Sequence, residues 1–369
     1  MKYRVLIVLP TDSLGGAEQF LKMIASYHAD NDDGVTVFFM NDKKHRGWED
    51  LEKKARILYG KGQREREGTV RLVKNLSSHR FTQYDRAYTS HSHITAIVGL
   101  LRKLNILSIR HFVARESTLV FSRFSGLRLL TFRFFYQMGF SSVDTLICQT
   151  DLMRQQLLKN IPRILKKIPN VIVLPNPINL KVAAKYADEM SFQTTVNTDY
   201  IVSAGRLIDE KGFDLLIRSF AIISSSYKNL KLVILGDGSL RTVLQTLATQ
   251  LGIADKVILP GRVDNVYPYF RQAKACVVSS RIEGFPNVLL QMMSQNGNVV
   301  STLCAGGVED IPALITCLPD DEKELEAAVM RSLNKSKTEV EENLRTFQQY
   351  LYERTVEKFI GKIEKIMSN

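Results

Sequence analysis

The sequence predicts an α/β protein made of two doubly wound domains, on three observations. Apolar runs of strand length alternate with stretches of helical spacing along all 369 residues, the pattern of parallel strands joined by crossover helices. Several of these runs end in a short glycine-bearing loop that leads into a helix. Composition and charge change after Val171-Ile-Val-Leu-Pro-Asn-Pro-Ile-Asn179, a strand followed by a proline-stiffened connection. The predicted division is 1–176, 177–350 and a terminal helix over 351–369, which is expected to return to the first domain.

The first strand is Met1-Lys-Tyr-Arg-Val-Leu-Ile-Val-Leu-Pro10, too short an apolar run for a signal peptide. It leads through Gly15 and Gly16 into a helix with Phe20, Leu21, Ile24 and Ala25 on one face. Glycine lets backbone approach a ligand and a helix N-terminus offers free N–H groups to an anion, but a plain tight turn fits equally well. Asp30-Asn31-Asp32 has the Asp-x-Asp form of a metal–nucleotide motif. With Asp33-Gly34 and a strand following, it reads better as a solvated turn. Val35-Thr-Val-Phe-Phe-Met40 is the next strand, and residues 41–80 are polar and basic, with a loop over 60–68.

Ala87-Tyr-Thr-Ser-His-Ser-His93 ends a further strand before a helical stretch over 94–104. His91 and His93 fall on that turn, open to a ligand-contacting or a capping role; no HExxH pattern or Cys partner supports zinc. The strand from Leu107 places Arg115, Glu116 and Ser117 beyond its end. Residues 121–136 interleave aromatics with Arg123, Arg128 and Arg133. Such a segment fits a membrane interface, or a core helix with an exposed basic edge. A strand at Val143 and a helix from Asp151 close the first half.

The second half repeats the unit. Strand–loop–helix readings fall at Tyr200-Ile-Val-Ser-Ala-Gly-Arg-Leu-Ile-Asp-Glu-Lys-Gly-Phe-Asp214 and Leu230-Lys-Leu-Val-Ile-Leu-Gly-Asp-Gly-Ser239. Val257-Ile-Leu-Pro-Gly-Arg-Val-Asp264 and Lys274-Ala-Cys-Val-Val-Ser-Ser280 are further strands, the latter followed by Arg281-Ile-Glu-Gly-Phe-Pro-Asn287. Residues 339–367 read as one long charged helical stretch.

Composition bounds the function. Hydrophobic residues at 45% and charged residues at 24% suit a soluble globular protein, and no apolar run approaches the ~20 residues of a membrane span. The four cysteines lack metal-like spacing and read as reduced core thiols of a cytoplasmic protein. The net charge of +12 is uneven: residues 1–176 hold 28 Lys/Arg against 15 Asp/Glu, and the remainder 22 against 23. The first half is therefore suited to an anionic partner, whether nucleic acid, a phosphorylated acceptor or an anionic membrane. Nucleic acid is disfavoured because no known binding module is present. A basic protein with no charged partner is the plain alternative.

In the second half, Arg206 and Lys211 follow one strand, Gly236-Asp237-Gly238 the next and Gly261 the third. With Gly306 and Gly307, these strand ends would converge on one ligand; Arg206 would serve as a fork on a diphosphate and Lys211 as a point charge. This ordered set resembles the GT-B retaining glycosyltransferases, specifically the large family four of nucleotide-sugar-dependent enzymes. The matching pieces are Leu14-Gly-Gly-Ala-Glu18, Pro175-Asn-Pro177, Gly205 to Asp214, Gly236-Asp-Gly-Ser239, Gly261-Arg-Val-Asp264 and Glu283-Gly-Phe-Pro-Asn287.

The resemblance implies two Rossmann-like domains facing across a cleft. A UDP-sugar, or a related nucleotide sugar, would be held by the second domain with no metal and no cofactor. Arg206 and Lys211 would hold the diphosphate beside Gly205 and Gly236–Gly238, and backbone near Arg262 and Val263 would meet the base. Glu283 would sit at the donor sugar, with Gly284, Phe285, Pro286 and Asn287 over sugar and phosphates. Gly15 and Gly16 would approach the diphosphate from the first domain. A saccharide or lipid-linked acceptor would meet His91, Glu116, Arg123, Arg128 and Arg133 at the cytoplasmic membrane face, in surface polysaccharide synthesis. Two departures stand out. Gln291 occupies the place of the family's second glutamate, a ribose ligand, and Arg115-Glu-Ser117 occupies the loop where the family usually has a histidine. They motivate a second reading, a nucleotide-sugar-binding subunit without turnover.

Overall fold

The computed structural model describes residues 2–41, 47–60, 71–72, 83–187 and 198–368. The loop expected over 60–68 lies outside the described residues from 61 onward, as does most of the polar stretch around it. The chain forms two compact units, Met1–Pro177 with Val356–Asn369, and Ile178–Thr355.

Unit 1 is built on seven parallel strands: β1 (Arg4–Leu9), β2 (Gly34–Phe39), β3 (Arg56–Tyr59), β4 (Tyr84–Thr89), β5 (Ile109–Arg115), β6 (Thr145–Cys148) and β7 (Asn170–Val173). Their order across the sheet is β3-β2-β1-β4-β5-β6-β7. Unit 2 has six: β8 (Tyr200–Ala204), β9 (Lys231–Leu235), β10 (Val257–Gly261), β11 (Ala275–Val278), β12 (Val299–Thr302) and β13 (Ile315–Cys317), in the order β10-β9-β8-β11-β12-β13. Helices cover both faces, so the inner strands are apolar on both sides: five consecutive residues of β1 and all of β8 and β11 are buried. Each sheet reverses its winding once, at β1/β4 and at β8/β11. Such a reversal opens a crevice outside the carboxyl ends of the two strands, where doubly wound proteins bind ligands.

The end of the chain departs from the single helical stretch expected over 339–367. A capping box, in which Ser336 and Glu339 satisfy each other's backbone, starts a helix at Lys337–Tyr352 in unit 2. A separate helix, Val356–Ser368, belongs to unit 1. Its stripe of Val356, Phe359, Ile360 and Ile363 is buried with β1, β2 and the helix Gly16–Asp30. Phe359 meets Phe20 edge to face at 5.5 Å, and Glu364 accepts from Arg86 at 2.8 Å. Among the described residues no helix is long and apolar enough to cross a membrane. Because Phe359 is almost fully buried, Phe359→Ala is expected to cost unit 1 about 3–5 kcal/mol, read as a lowered urea midpoint.

Candidate functional site

The unit 2 crevice is assembled from two loops that pack on each other. After β8 the chain passes Gly205 and Arg206 and makes a short 3₁₀ turn, Asp209–Lys211, closed by Gly212 at φ +59°. A side chain there would be strained, and its Cβ would lie 2.1 Å from the carbonyl oxygen of Ser279 just beyond β11. Ser279 in turn donates its hydroxyl to the Lys211 carbonyl at 2.9 Å. This close approach brings two sequence-predicted residues together. The Lys211 ammonium donates to Glu283 Oε1, and Ser280 donates to the same oxygen at 2.9 Å. Both Lys211 and Glu283 are 17% exposed, reachable but largely shielded.

Arg281, between the strand and Glu283, anchors the loop. Its guanidinium grips Asp214 with two bonds of 2.9 and 2.7 Å, donates to Asp320 at 2.7 Å, and reaches the Asp209 carbonyl at 2.6 Å. Burial opposes ionisation of Asp214, but the hydrogen bonds and charge of Arg281 outweigh it and hold the carboxyl below its ordinary value. The backbone N–H groups of Arg281 and Glu283 donate to Glu210 and Cys304 carbonyls at 2.8 Å each. Nothing in the local sequence marks Arg281 for this role, because its partners lie as far as 72 residues away.

The neighbouring strand ends are stitched in the same way. Gly205 donates to Leu235 and Gly236 to Gly261. Gly236 sits at φ +138°, and a Cβ on it would fall 1.9 Å from the Gly205 oxygen. Asp237, Gly238, Arg206 and Arg262 are exposed at this rim, and Val263 packs on the core. Gly284 is half-buried while Phe285 and Pro286 are buried, ahead of the helix Asn287–Met293. Gln291 is half-buried and hydrogen-bonds the side chain of Tyr267, whose hydroxyl burial pushes up to about 12.

In unit 1 the residues expected to bind are more occupied. Gly15 and Gly16 begin the helix Gly16–Asp30, and no side chain of the N-cap residue closes it. The Glu18 carboxylate folds over that end: a Cβ on Gly15 would meet its Oε2 at 2.5 Å, and its Oε1 lies 3.2 Å from His91 Nε2. His91 is the N-cap of the helix Ser92–Lys103. Glu116, expected to face an acceptor, is 3% exposed and committed to the fold. It accepts from Tyr136 at 2.7 Å, Ser92 at 3.4 Å and the Ser117 N–H at 3.2 Å, and burial raises its pKa. Arg115, the last residue of β5, is also buried. It donates to Ser90 and Asn176, stacks 4.4 Å over Phe20, and is pushed down by burial to about 9. Arg123, Arg128 and Arg133 are exposed. Among the described residues no group of three His, Cys, Asp or Glu could hold a metal.

Residues 187–345 match the family described as glycosyl transferases group 1. That segment is a group 1 domain. An uncharacterized glycosyltransferase of Methanocaldococcus jannaschii is 30% identical over 192 residues, 51% of this chain and 46% of the relative. A Campylobacter jejuni N-acetylgalactosamine-N,N'-diacetylbacillosaminyl-diphospho-undecaprenol 4-alpha-N-acetylgalactosaminyltransferase is 34% identical over 139 residues, 38% of this chain and 36% of the relative. The chain thus spans about half the length, or less, of these curated relatives. Across the whole chain, the Anabaena protein HepE, solved with UDP and glucose, superposes with a TM-score of 0.81 at 16% identity, covering 100% of both. Sucrose-phosphate synthase from Thermosynechococcus elongatus gives 0.78 at 14%, covering 99% and 98%. The fold is GT-B, and the Lys211–Glu283 pair lies inside the group 1 domain.

Removing one side of the Arg281 anchor tests its weight. Asp214→Asn is expected to cost the group 1 domain about 1–2 kcal/mol at pH 7, discounted for partial exposure. Since the Asp214 pKa is depressed, the contribution is complete above the ordinary aspartate value of 3.8 and lost as pH falls through its lowered one. Thermal midpoints of wild type and variant should therefore converge only in acid below that value.

Proposed function

We propose that the protein is a retaining glycosyltransferase that moves a hexosyl or N-acetylhexosaminyl group from a nucleotide sugar, in first place a UDP-sugar, to a saccharide or lipid-linked saccharide. The observation that carries this is the Lys211–Glu283–Ser280 cluster at the β8/β11 switch point, with Arg206 on the same post-β8 loop as Lys211 and glycine backbone on the flanking strand ends. Transfer breaks the bond between the anomeric carbon and the diphosphate oxygen and forms one to an acceptor oxygen, whose proton leaves with the nucleotide. Negative charge grows on the departing diphosphate. Lys211 and Arg206 would neutralise it in place of a metal. Glu283 holds the lysine and offers its second oxygen to a sugar hydroxyl. Gly284 to Asn287 would close over sugar and phosphates.

The activities for which relatives are named support this reading. The Campylobacter enzyme is named for a diphospho-undecaprenol acceptor, and a Rhizobium meliloti relative for lipopolysaccharide core biosynthesis. By extension the chain would work at the inner face of the cell membrane in surface polysaccharide synthesis.

A donor panel with nucleotide release as readout tests the class, and the anomeric coupling of the product tests retention. Glu283→Gln should lower kcat about 10²–10³-fold while UDP affinity moves by less than about threefold. Tight UDP-sugar binding with no turnover on any acceptor would instead favour the binding-subunit reading. Gln291→Glu adds a carboxylate beside Tyr267 and is expected to change donor KM with little effect on kcat. An unchanged KM would show that residue 291 does not meet the ribose.

A further inference from the structure

The helix Gly126–Gly139 carries large apolar residues on more than one face, yet the fold buries only one side of it. Inward, Gly139 crosses the helix Ser92–Lys103 so closely that a Cβ on it would fall 2.1 Å from the Ala96 oxygen. Tyr136 is fully buried on Glu116, and Phe132 stacks on Phe124 at 4.9 Å. These contacts make the helix a fixed platform.

Outward, Leu127, Leu130 and Phe134 fall on one stripe at i, i+3 and i+7, and are 83%, 59% and 59% exposed. Single exposed apolar residues are ordinary, but three large ones aligned on one helix call for a cover. The one polar residue along the stripe, Thr131, turns its hydroxyl inward to the Leu127 carbonyl at 2.9 Å and so makes no demand on water. At roughly 100° per residue, Arg128 and Arg133 lie on opposite flanks of the stripe. Exposed Arg123 precedes it. Between residues 121 and 167 there are eight Lys/Arg against two Asp/Glu. The cover must therefore be apolar in its middle and anionic at its edges. A second copy of this surface would set arginine against arginine, whereas an anionic bilayer supplies acyl chains under a layer of phosphates.

We propose that this helix lies in the membrane interface, with Leu127, Leu130 and Phe134 inserted into the acyl boundary and Arg123, Arg128 and Arg133 on lipid phosphates. This deepens the proposed use of a membrane-borne acceptor and rests on that reading for its purpose; the insertion itself does not require transfer.

The test uses the full chain with vesicles of equal parts phosphatidylcholine and phosphatidylglycerol. Wild type should co-sediment with them and bind pure phosphatidylcholine much more weakly. Leu130→Glu combined with Phe134→Glu should weaken partitioning about 100-fold or more and leave the thermal midpoint unchanged, because both positions are exposed. In Phe134→Trp, emission should move to shorter wavelength on vesicle binding, over a constant background from buried Trp48. Undiminished sedimentation of the double variant, or vesicle binding without an emission shift, overturns insertion. A wild-type dimer that the double variant breaks overturns it in favour of a second copy, and saturable capture by an acidic protein in place of vesicles does so in favour of a protein partner. Vesicle insertion without sugar transfer to any acceptor, water-soluble or lipid-linked, sinks the transferase reading and leaves insertion standing. Transfer by a chain that ignores vesicles does the reverse.

Discussion

How the chain leaves β11 governs what unit 2 can present to a ligand, and one guanidinium sets that path. Arg281 gathers Asp214 from a helix start, Asp320 from the loop after β13 and a carbonyl from the 3₁₀ turn. A planar fork with donors on three edges satisfies these partners at once, which an ammonium on a flexible stem does not. With the loop fixed at Arg281, the next acid along, Glu283, arrives beside Lys211. The left-handed Gly212 completes the arrangement by letting the lysine turn touch the end of β11. Lys211 and Glu283 are thus positioned by backbone contact and a partly exposed ion cluster around Arg281, with little left to side-chain freedom.

Much of this was legible in the sequence, for identifiable reasons. Strands buried on both faces read as continuous apolar runs, so β1, β8 and β11 stood out, and glycine after a strand marked each junction where backbone crosses backbone. Arg206, Lys211 and Glu283 were visible because short loops fix their place relative to a strand end. What remained hidden depended on long-range pairing. Arg281 looked like an ordinary post-strand arginine until Asp214 and Asp320 were beside it. Glu116 looked available because nothing local announces that Tyr136, on the helix Gly126–Gly139, closes over it. The charged pattern of 339–367 concealed a break, since the stripe that sends the last helix to unit 1 is only four apolar residues wide.

Both units neutralise their crevices internally. Glu283 accepts from the lysine in unit 2, and Glu18 lies over its own helix N-terminus and against His91 in unit 1. An incoming anion at either place must compete with a carboxylate already there. This lowers affinity for any small anion and favours ligands that give the displaced acid something to accept, such as a sugar hydroxyl.

The return of Val356–Ser368 to unit 1 makes unit 2 an insertion within unit 1. The two ends of the insertion are held together within unit 2 itself, Ile178 donating to the Arg354 carbonyl at 2.8 Å. Synthesis from the N-terminus therefore completes unit 2 before unit 1 has its last helix. Through that interval the apolar face made by Phe20, Leu21 and Ile24 remains without Phe359 and Ile360. The order of maturation is the reverse of the order of sequence: the second unit can settle first, and the first unit closes only once Val356–Ser368 has emerged.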